Sequence, residues 1–244
     1  MKSRVFLAVV SLACLAAAGA QAETLLWDNY AGGIDALPNN GAINMSSERN
    51  TQVVESTWVV DDAILNASPQ QDVLLTRLNW YGARDAAYDP YASADVIFLD
   101  RSFNILLELD DLSFNIVQER DYLDPFSRLY EGQVDFDVPV SVMNDLGTNS
   151  FYVGVRLVGS QHLQGRNHFV VSSSDSTLFG DTEGYIKAAV FGAPDWRPAS
   201  DVWYGAPTPN INFEFAFQLY GDIVPEPTSI GLLLIGAAAL LRRR

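Results

Sequence analysis

Residues 133–140 read Gln133-Val134-Asp135-Phe136-Asp137-Val138-Pro139-Val140, and apolar and polar side chains alternate along them. In an extended chain, successive side chains point to opposite faces. Val134, Phe136, Val138 and Val140 therefore share one face, and Asp135, Asp137 and Pro139 the other. Wound into a helix, the same four apolar groups would spread around the axis and line no stripe. The stretch predicts a half-buried β-strand, with one face in a core and one in water.

The same period recurs outward from it. Phe151-Tyr152-Val153-Gly154-Val155-Arg156-Leu157 repeats the pattern. Along Ile211 to Leu219, the residues Ile211, Phe213, Phe215, Phe217 and Leu219 take one face, and Asn212, Glu214, Ala216 and Gln218 the other. Leu112 to Ile116 is a shorter case. Trp58–Leu65, Val73–Tyr81, Ala94–Leu99, Phe169–Ser172 and Tyr185–Val190 are further strand candidates. Ile105–Leu109 is apolar but too short to assign, and no stretch of the body keeps a helical period over three turns. About nine strands between Gly-, Pro- and polar-rich loops predict an all-β fold, an antiparallel β-sandwich of jelly-roll type. The long loops are Gly159–Asn167 and Phe191–Asn210, and loops on a rigid sandwich are where binding usually sits.

The chain has 244 residues and a formal net charge of −15. Five of its 15 bases (Lys2, Arg4, Arg242, Arg243 and Arg244) lie at the two ends, with only one of its 30 acids, Glu226. The body between them holds 29 acids against 10 bases, a net of −19, and Lys187 is its single lysine. Such a surface repels nucleic acid and anionic lipid. Cys14 is the only cysteine. Once residues 1–22 are removed no thiol is left, so stability must come from the core rather than from disulfides or thiolate metal sites.

Residues 1–22 have the three parts of a secretory signal peptide. Lys2 and Arg4 make a positive start, Val5 to Ala17 an apolar run, and Ala20-Gln21-Ala22 a small-residue cleavage site for signal peptidase before Glu23. A retained anchor and a lipoprotein signal using Cys14 are the competing readings. The first is disfavoured by the short run and good cleavage site, the second by Ser11 where a leucine is expected.

At the other end, Pro225 and Pro227 fix φ twice and remove two backbone donors, which bars strand and helix there. Ile230 to Leu241 follows, twelve apolar residues without a charge. As a helix this run rises about 18 Å, short of a ~30 Å hydrocarbon core. Thr228, Ser229 and snorkelling arginines narrow the gap. Arg242, Arg243 and Arg244 act as a positive-inside stop, so the body lies across the membrane from them. A buried core helix is excluded by the arginines and the proline break; a plain permanent anchor is not.

Pro225-Glu226-Pro227, then Thr228-Ser229, an apolar segment and an arginine cluster, resembles the PEP-CTERM sorting signal of proteins exported by Gram-negative bacteria, often makers of extracellular polysaccharide. The resemblance covers about the last 21 residues. It implies that Pro225, Glu226 and Pro227 are recognised by a membrane transpeptidase-like enzyme, exosortase, and that the tail is cut near them. Three stretches of the body, Trp58–Asp62, Leu78–Gly82 and Phe217–Gly221, look like extracellular β-sandwich domains joined to such tails, which implies a fold and no reaction. The domains expected are a signal peptide over 1–22, a sandwich over 23–222 and a sorting tail over 223–244.

Little chemistry is legible between the ends. Asp135 and Asp137 share a strand face about 7 Å apart, but neither they nor Glu131 match a known pair of hydrolase carboxylates. There is no G-x-S-x-G motif. His162 and His168 have no zinc-site spacing. Asp61 with Asp62, Asp110 with Asp111, Asp121 with Asp124, and Asp181 with Glu183 offer oxygen donors near turns, a chemistry suited to structural calcium, although no EF-hand run occurs. Trp58 and Trp80 fall in strand patterns and are expected in the core. Trp196, Trp203 and Tyr204, in the Pro-rich stretch 193–209, either cap the sandwich or form a plate on which a sugar ring stacks.

The expectation is an exported, exosortase-processed envelope or extracellular-matrix protein with a non-catalytic structural or binding role, associated with polysaccharide. It is held at the membrane by its tail until processing. The alternative is a secreted hydrolase acting on that polysaccharide.

Overall fold

Alternating strands must bury their apolar faces against another layer, and here that layer is a second sheet. The computed structural model describes residues 23–29, 44–50, 56–65, 72–85, 93–122, 127–139, 150–159, 168–174, 183–204 and 213–224. Within them run β1 (Thr24–Asp28), β2 (Asn44–Ser46), β3 (Glu48–Asn50), β4 (Thr57–Ile64), β5 (Asp72–Asp85), β6 (Ser93–Leu99), β7 (Ile105–Leu112) and β8 (Phe114–Tyr122). They continue with β9 (Ser127–Pro139), β10 (Ser150–Gly159), β11 (His168–Ser174), β12 (Tyr185–Ala188), β13 (Ala193–Pro198), a one-turn-and-a-half helix α1 (Ala199–Tyr204), β14 (Glu214–Phe215) and β15 (Phe217–Val224).

The strands make two sheets. In the first, of eight strands, β5 is the spine. Its Asp72–Trp80 half pairs with β15, its Gly82–Arg84 end with β11, and its other edge with β9. β1 lies outside β15 and β8 outside β9, while β2 and β14 flank β11. The second, of seven strands, runs β13-β12-β4-β10-β6-β7, with β3 beside β10. All pairs are antiparallel except the short β3–β10 pair.

One core fills the space between the sheets. Leu75, Leu78, Trp80, Tyr130, Val134, Phe217 and Leu219 of the first sheet meet Val59, Ala63, Val96, Phe98, Phe151, Val153, Val155 and Ile186 of the second. The expected inward faces at Gln133–Val140 and Phe151–Leu157 hold wherever side chains are described.

Two glycines let the aromatic core lie flat on the first sheet. Trp80 stands opposite Gly132, and Tyr130 opposite Gly82, in the β5–β9 register. A Cβ on Gly132 would fall inside the Trp80 ring, and one on Gly82 inside the Tyr130 ring. Each aromatic thus covers the glycine across from it, and the two rings meet edge to face at 6.4 Å. Glycine weakens a strand when nothing packs over it; here a cross-strand ring does.

Several expectations need correction. Leu112–Ile116 is not one strand: the chain leaves the second sheet at Leu112 and enters the first at Phe114, with Ser113 as the corner. Ile105–Leu109 is the start of β7. Tyr185–Val190 ends as a strand at Ala188, and a 3-10 turn over Ala189–Phe191 follows, closed by Gly192 at φ 77°. Phe191–Asn210 is not all loop, since it supplies β13 and α1. β15 continues two residues past Asp222 to Val224. Glu214 and Ala216, expected on a solvated face, are both fully buried; Glu214 lies beside Asp61 and Asp62, and the Phe215 N–H and carbonyl are bonded by Asp61 and Asn29.

Among the described residues no helix is long and apolar enough to cross a membrane. The signal peptide with Ala20 and Ala22, the motif Pro225–Glu226–Pro227, the apolar run 230–241 and Arg242–Arg244 lie outside the described residues.

Candidate functional site

Strand β4 is buried along both faces, which is unusual for a sandwich strand, and it carries adjacent acids at its centre. Asp61 faces the core and Asp62 the opposite side; both are almost wholly shielded from water. Asp61 Oδ2 accepts the Phe215 N–H at 2.5 Å, and its Oδ1 accepts the Asp62 N–H at 2.8 Å. Asn29 completes the inner shell. Its Nδ2 donates to the Phe215 carbonyl and reaches Asp61 Oδ2 at 3.4 Å, and its Oδ1 accepts the Phe217 N–H at 2.5 Å. The Asn29 side chain therefore acts as an extra rung that fastens the 215–217 segment to the end of β1. On the outer side Asp62 Oδ2 receives Arg101 Nη1 at 3.0 Å.

Glu214 brings a third carboxylate. Asp61, Asp62 and Glu214 each offer an oxygen within 4.8 Å of the others, and all three residues are buried. Asp61 is held well above the ordinary carboxylate range, first by burial, then by the charges of Glu214 and Asp62, against hydrogen bonds from Phe215 and Asp62 that pull it down. The folded state therefore keeps this proton at pH values where the unfolded chain has lost it. The stability it supplies is complete below the unfolded pKa and is lost as pH rises through the folded one. We expect the melting temperature of metal-free protein to fall as pH rises above the unfolded carboxylate range, and Glu214→Gln to flatten that fall by removing one of the two repelling charges. An unchanged slope in the variant would contradict the coupling. Three carboxylates and no nitrogen or sulfur is a donor set for a hard cation. Calcium added at pH 8 should raise the melting temperature of the wild type and not of Glu214→Gln if the cluster takes one.

The other pairs that sequence offered as calcium donors are used differently. Asp111 accepts from Arg49 and Ser93, Asp110 lies 4.0 Å from Arg156, and Asp121 pairs with Arg128 at 2.6 Å. Glu183 caps α1, taking the Ser200 hydroxyl at 2.7 Å and the Ser200 N–H at 3.2 Å, an N-terminal capping role. Asp124 and Asp181 are outside the described residues. Asp135 is exposed and held by Gln133. Glu131 bonds Asn79 and Gln118. His162 lies outside the described residues; His168 opens β11.

The outer face of the second sheet is the other concentration of chemistry. Here Asp95 is fully buried and accepts from Arg49 Nε at 2.7 Å, Arg49 Nη2 at 2.9 Å, Arg156 Nε at 2.7 Å and the Asp111 N–H at 2.9 Å. Burial would raise its pKa, but these donors hold it below the ordinary range. Arg156 lies 4.0 Å over the Trp58 ring. Trp58 belongs to a second cluster on this outer face with Val60, Ile97, Leu99 and Tyr152, and not to the central core; Trp80 is central, as expected. Partly exposed Phe103, Tyr185 and Trp196 pack on that cluster.

Of the three aromatics proposed for sugar contact, Trp196 is on β13 and joins this outer cluster. Trp203 and Tyr204 lie on α1, where the backbone but not the side chains is described. Sequence reasoning missed Phe103, Tyr152 and Tyr185 as companions of Trp196. Tyr152 and Tyr185 sit on the polar phase of their strands, an exposed-aromatic signal that could have found them. Asn29 and Glu214 gave no signal, since their partners are remote in sequence. No family model, curated protein or solved structure matches the chain.

Proposed function

We propose that the chain is an exported envelope or extracellular-matrix protein, trimmed at both ends, whose jelly-roll-like sandwich has a structural or binding role and contacts polysaccharide. Signal peptidase acts before Glu23, and an exosortase-type enzyme at Pro225–Glu226–Pro227 removes the apolar tail that holds the body at the membrane. The observation that carries this reading is the position of the two ends of the fold. β1 starts at Thr24 and pairs with β15 through Thr24 and Gly221, and β15 stops at Val224, immediately before Pro225. β1, which starts two residues after Ala22, and β15, which runs up to the residue before Pro225, are thus neighbouring strands of one sheet. The Glu23 side chain is itself anchored, accepting from Thr76 and pairing with Arg77, so the residue that cleavage would expose is part of the fold.

The carboxylates support binding rather than hydrolysis. Among the described residues the three that converge, Asp61, Asp62 and Glu214, are all buried, out of reach of a polysaccharide chain. A glycosidase needs its pair flanking a substrate cleft. Alanines in place of Pro225, Glu226 and Pro227 should leave the tail attached and the protein in the membrane fraction, while the wild type is recovered from the cell surface or medium. Equal distribution of the two would count against processing at this motif.

A further inference from the structure

We propose that the outer face of the second sheet binds a carboxylate-bearing polysaccharide, with a sugar ring stacked on the Phe103–Trp196 aromatics and its carboxylate paired with Lys187. The inference rests on the extracellular, polysaccharide-contacting reading above and narrows it to an anionic glycan.

The outward face of a sandwich sheet is ordinarily polar. This one has a buried apolar floor, Trp58, Val60, Ile97, Leu99 and Tyr152, and a partly exposed aromatic layer above it. The layer is ordered as near-parallel planes. Phe103 stacks on Tyr152 at 4.7 Å and 8°, and Trp196 lies 5.9 Å from Phe103 at 17°. Tyr185 closes one side, tilted 56° to Phe103. Phe103 and Trp196 are partly exposed, and the face of an aromatic ring is the surface that takes the flat, C–H-rich face of a pyranose.

Phe103 is placed there at a cost. Its φ of 63° is in the left-handed region, which strains a residue that carries a Cβ. The turn that imposes it is fixed by Asp100, which accepts the Ser102 N–H at 2.7 Å, the Asn104 N–H at 2.9 Å and the Asn104 side chain at 2.7 Å. Glycine or asparagine would fill this position without strain; phenylalanine returns a ring to the sheet surface.

Charge selects the occupant. In a body with a net of −19, four of the ten bases, Arg49, Arg101, Arg156 and Lys187, serve this one face. Arg49 and Arg156 are committed to Asp95, and Arg101 to Asp62 while it lies 5.0 Å from the Tyr152 ring. Lys187 is exposed, with its ammonium 5.9 Å from the Trp196 ring centre. A cation beside a stacking ring matches a carboxylate on the ring's sugar, a charge-assisted contact that survives the acidity of the rest of the surface.

Calorimetric titration of the full-length protein in detergent micelles with polygalacturonate tests this, beside the same polymer methyl-esterified at its carboxyls. Polygalacturonate should bind about tenfold more tightly than the ester, and Lys187→Gln should lower its affinity to the ester's level. Trp196→Ala should abolish binding of both. Equal affinity for the two polymers, binding indifferent to Lys187→Gln, or no binding at all would overturn the proposal. Lys187 is exposed, so its variant reports even if Trp196→Ala fails to fold. Export and trimming are measured without any glycan: protein that is trimmed yet binds neither polymer refutes this inference alone, and protein that binds yet keeps both ends refutes only the processing scheme.

Discussion

Asp95→Ala is expected to destabilise the protein by about 3–5 kcal/mol, the range for removing one partner of a buried charge network. The carboxylate is fully buried and neutralises two guanidiniums, one of them, Arg156, only 9% exposed at its side chain. Without Asp95 that buried arginine keeps Glu108 at 3.2 Å and loses its shortest ionic contact. The Asp111 N–H on β7 loses its acceptor as well, so the β6–β7 edge loosens with it. At roughly 2–4 °C per kcal/mol for a body of this size, the melting temperature should drop by about 10 °C. The sign of the pH dependence is fixed too. Because the folded pKa of Asp95 is depressed, its contribution is present above the unfolded value and is lost as pH falls through the folded one. The variant should therefore lose part of the acid limb of the wild-type stability profile. A change below 1 kcal/mol would mean that water or rearranged partners already serve these arginines.

The second large effect is expected at Trp80. It is fully buried, lies across Gly132, and touches Phe114 at 6.0 Å and Tyr130 at 6.4 Å. Trp80→Ala should cost about 3–5 kcal/mol from lost burial and the cavity left behind. Gly132→Ala alone should also destabilise, by about 1–3 kcal/mol, because its new methyl enters the ring. Combined, the two should cost less than their sum, since the methyl partly fills the space the indole vacated. Denaturant unfolding of both singles and the double closes the cycle; strict additivity would contradict the ring-over-glycine packing.

What was legible in the sequence follows from the range over which each interaction acts. Alternation is local, so Phe151–Leu157 and the Phe213–Leu219 aromatics were found with the correct faces inward. Strands without alternation, such as Thr24–Asp28, were not, because their place is set by remote partners: β1 exists as the edge of β15, nearly two hundred residues on. The same holds for the site. Asp61 and Asp62 were noticeable as adjacent acids, but Glu214 sat in an alternating run where solvent was the simplest destination. Only the folded placement of β14 beside β4 buries it against Asp61. Trp196 was singled out from its Pro-rich setting, whereas its neighbours come from β10, β12 and the β6–β7 turn, which only sheet order brings together. The ends are the converse case: the proposed signal is read from the local pattern of residues 1–22, and the proposed sorting tail from its resemblance to the PEP-CTERM signal, with no remote partner needed.

That division puts the functional account on the ends, and one measurement reaches it most directly. The intact mass of the protein recovered from envelope and medium should correspond to a chain that starts at Glu23 and stops close to Pro225–Pro227, with or without an added group at the new C-terminus. Chains that still carry both Met1 and Arg244 in every fraction would contradict it.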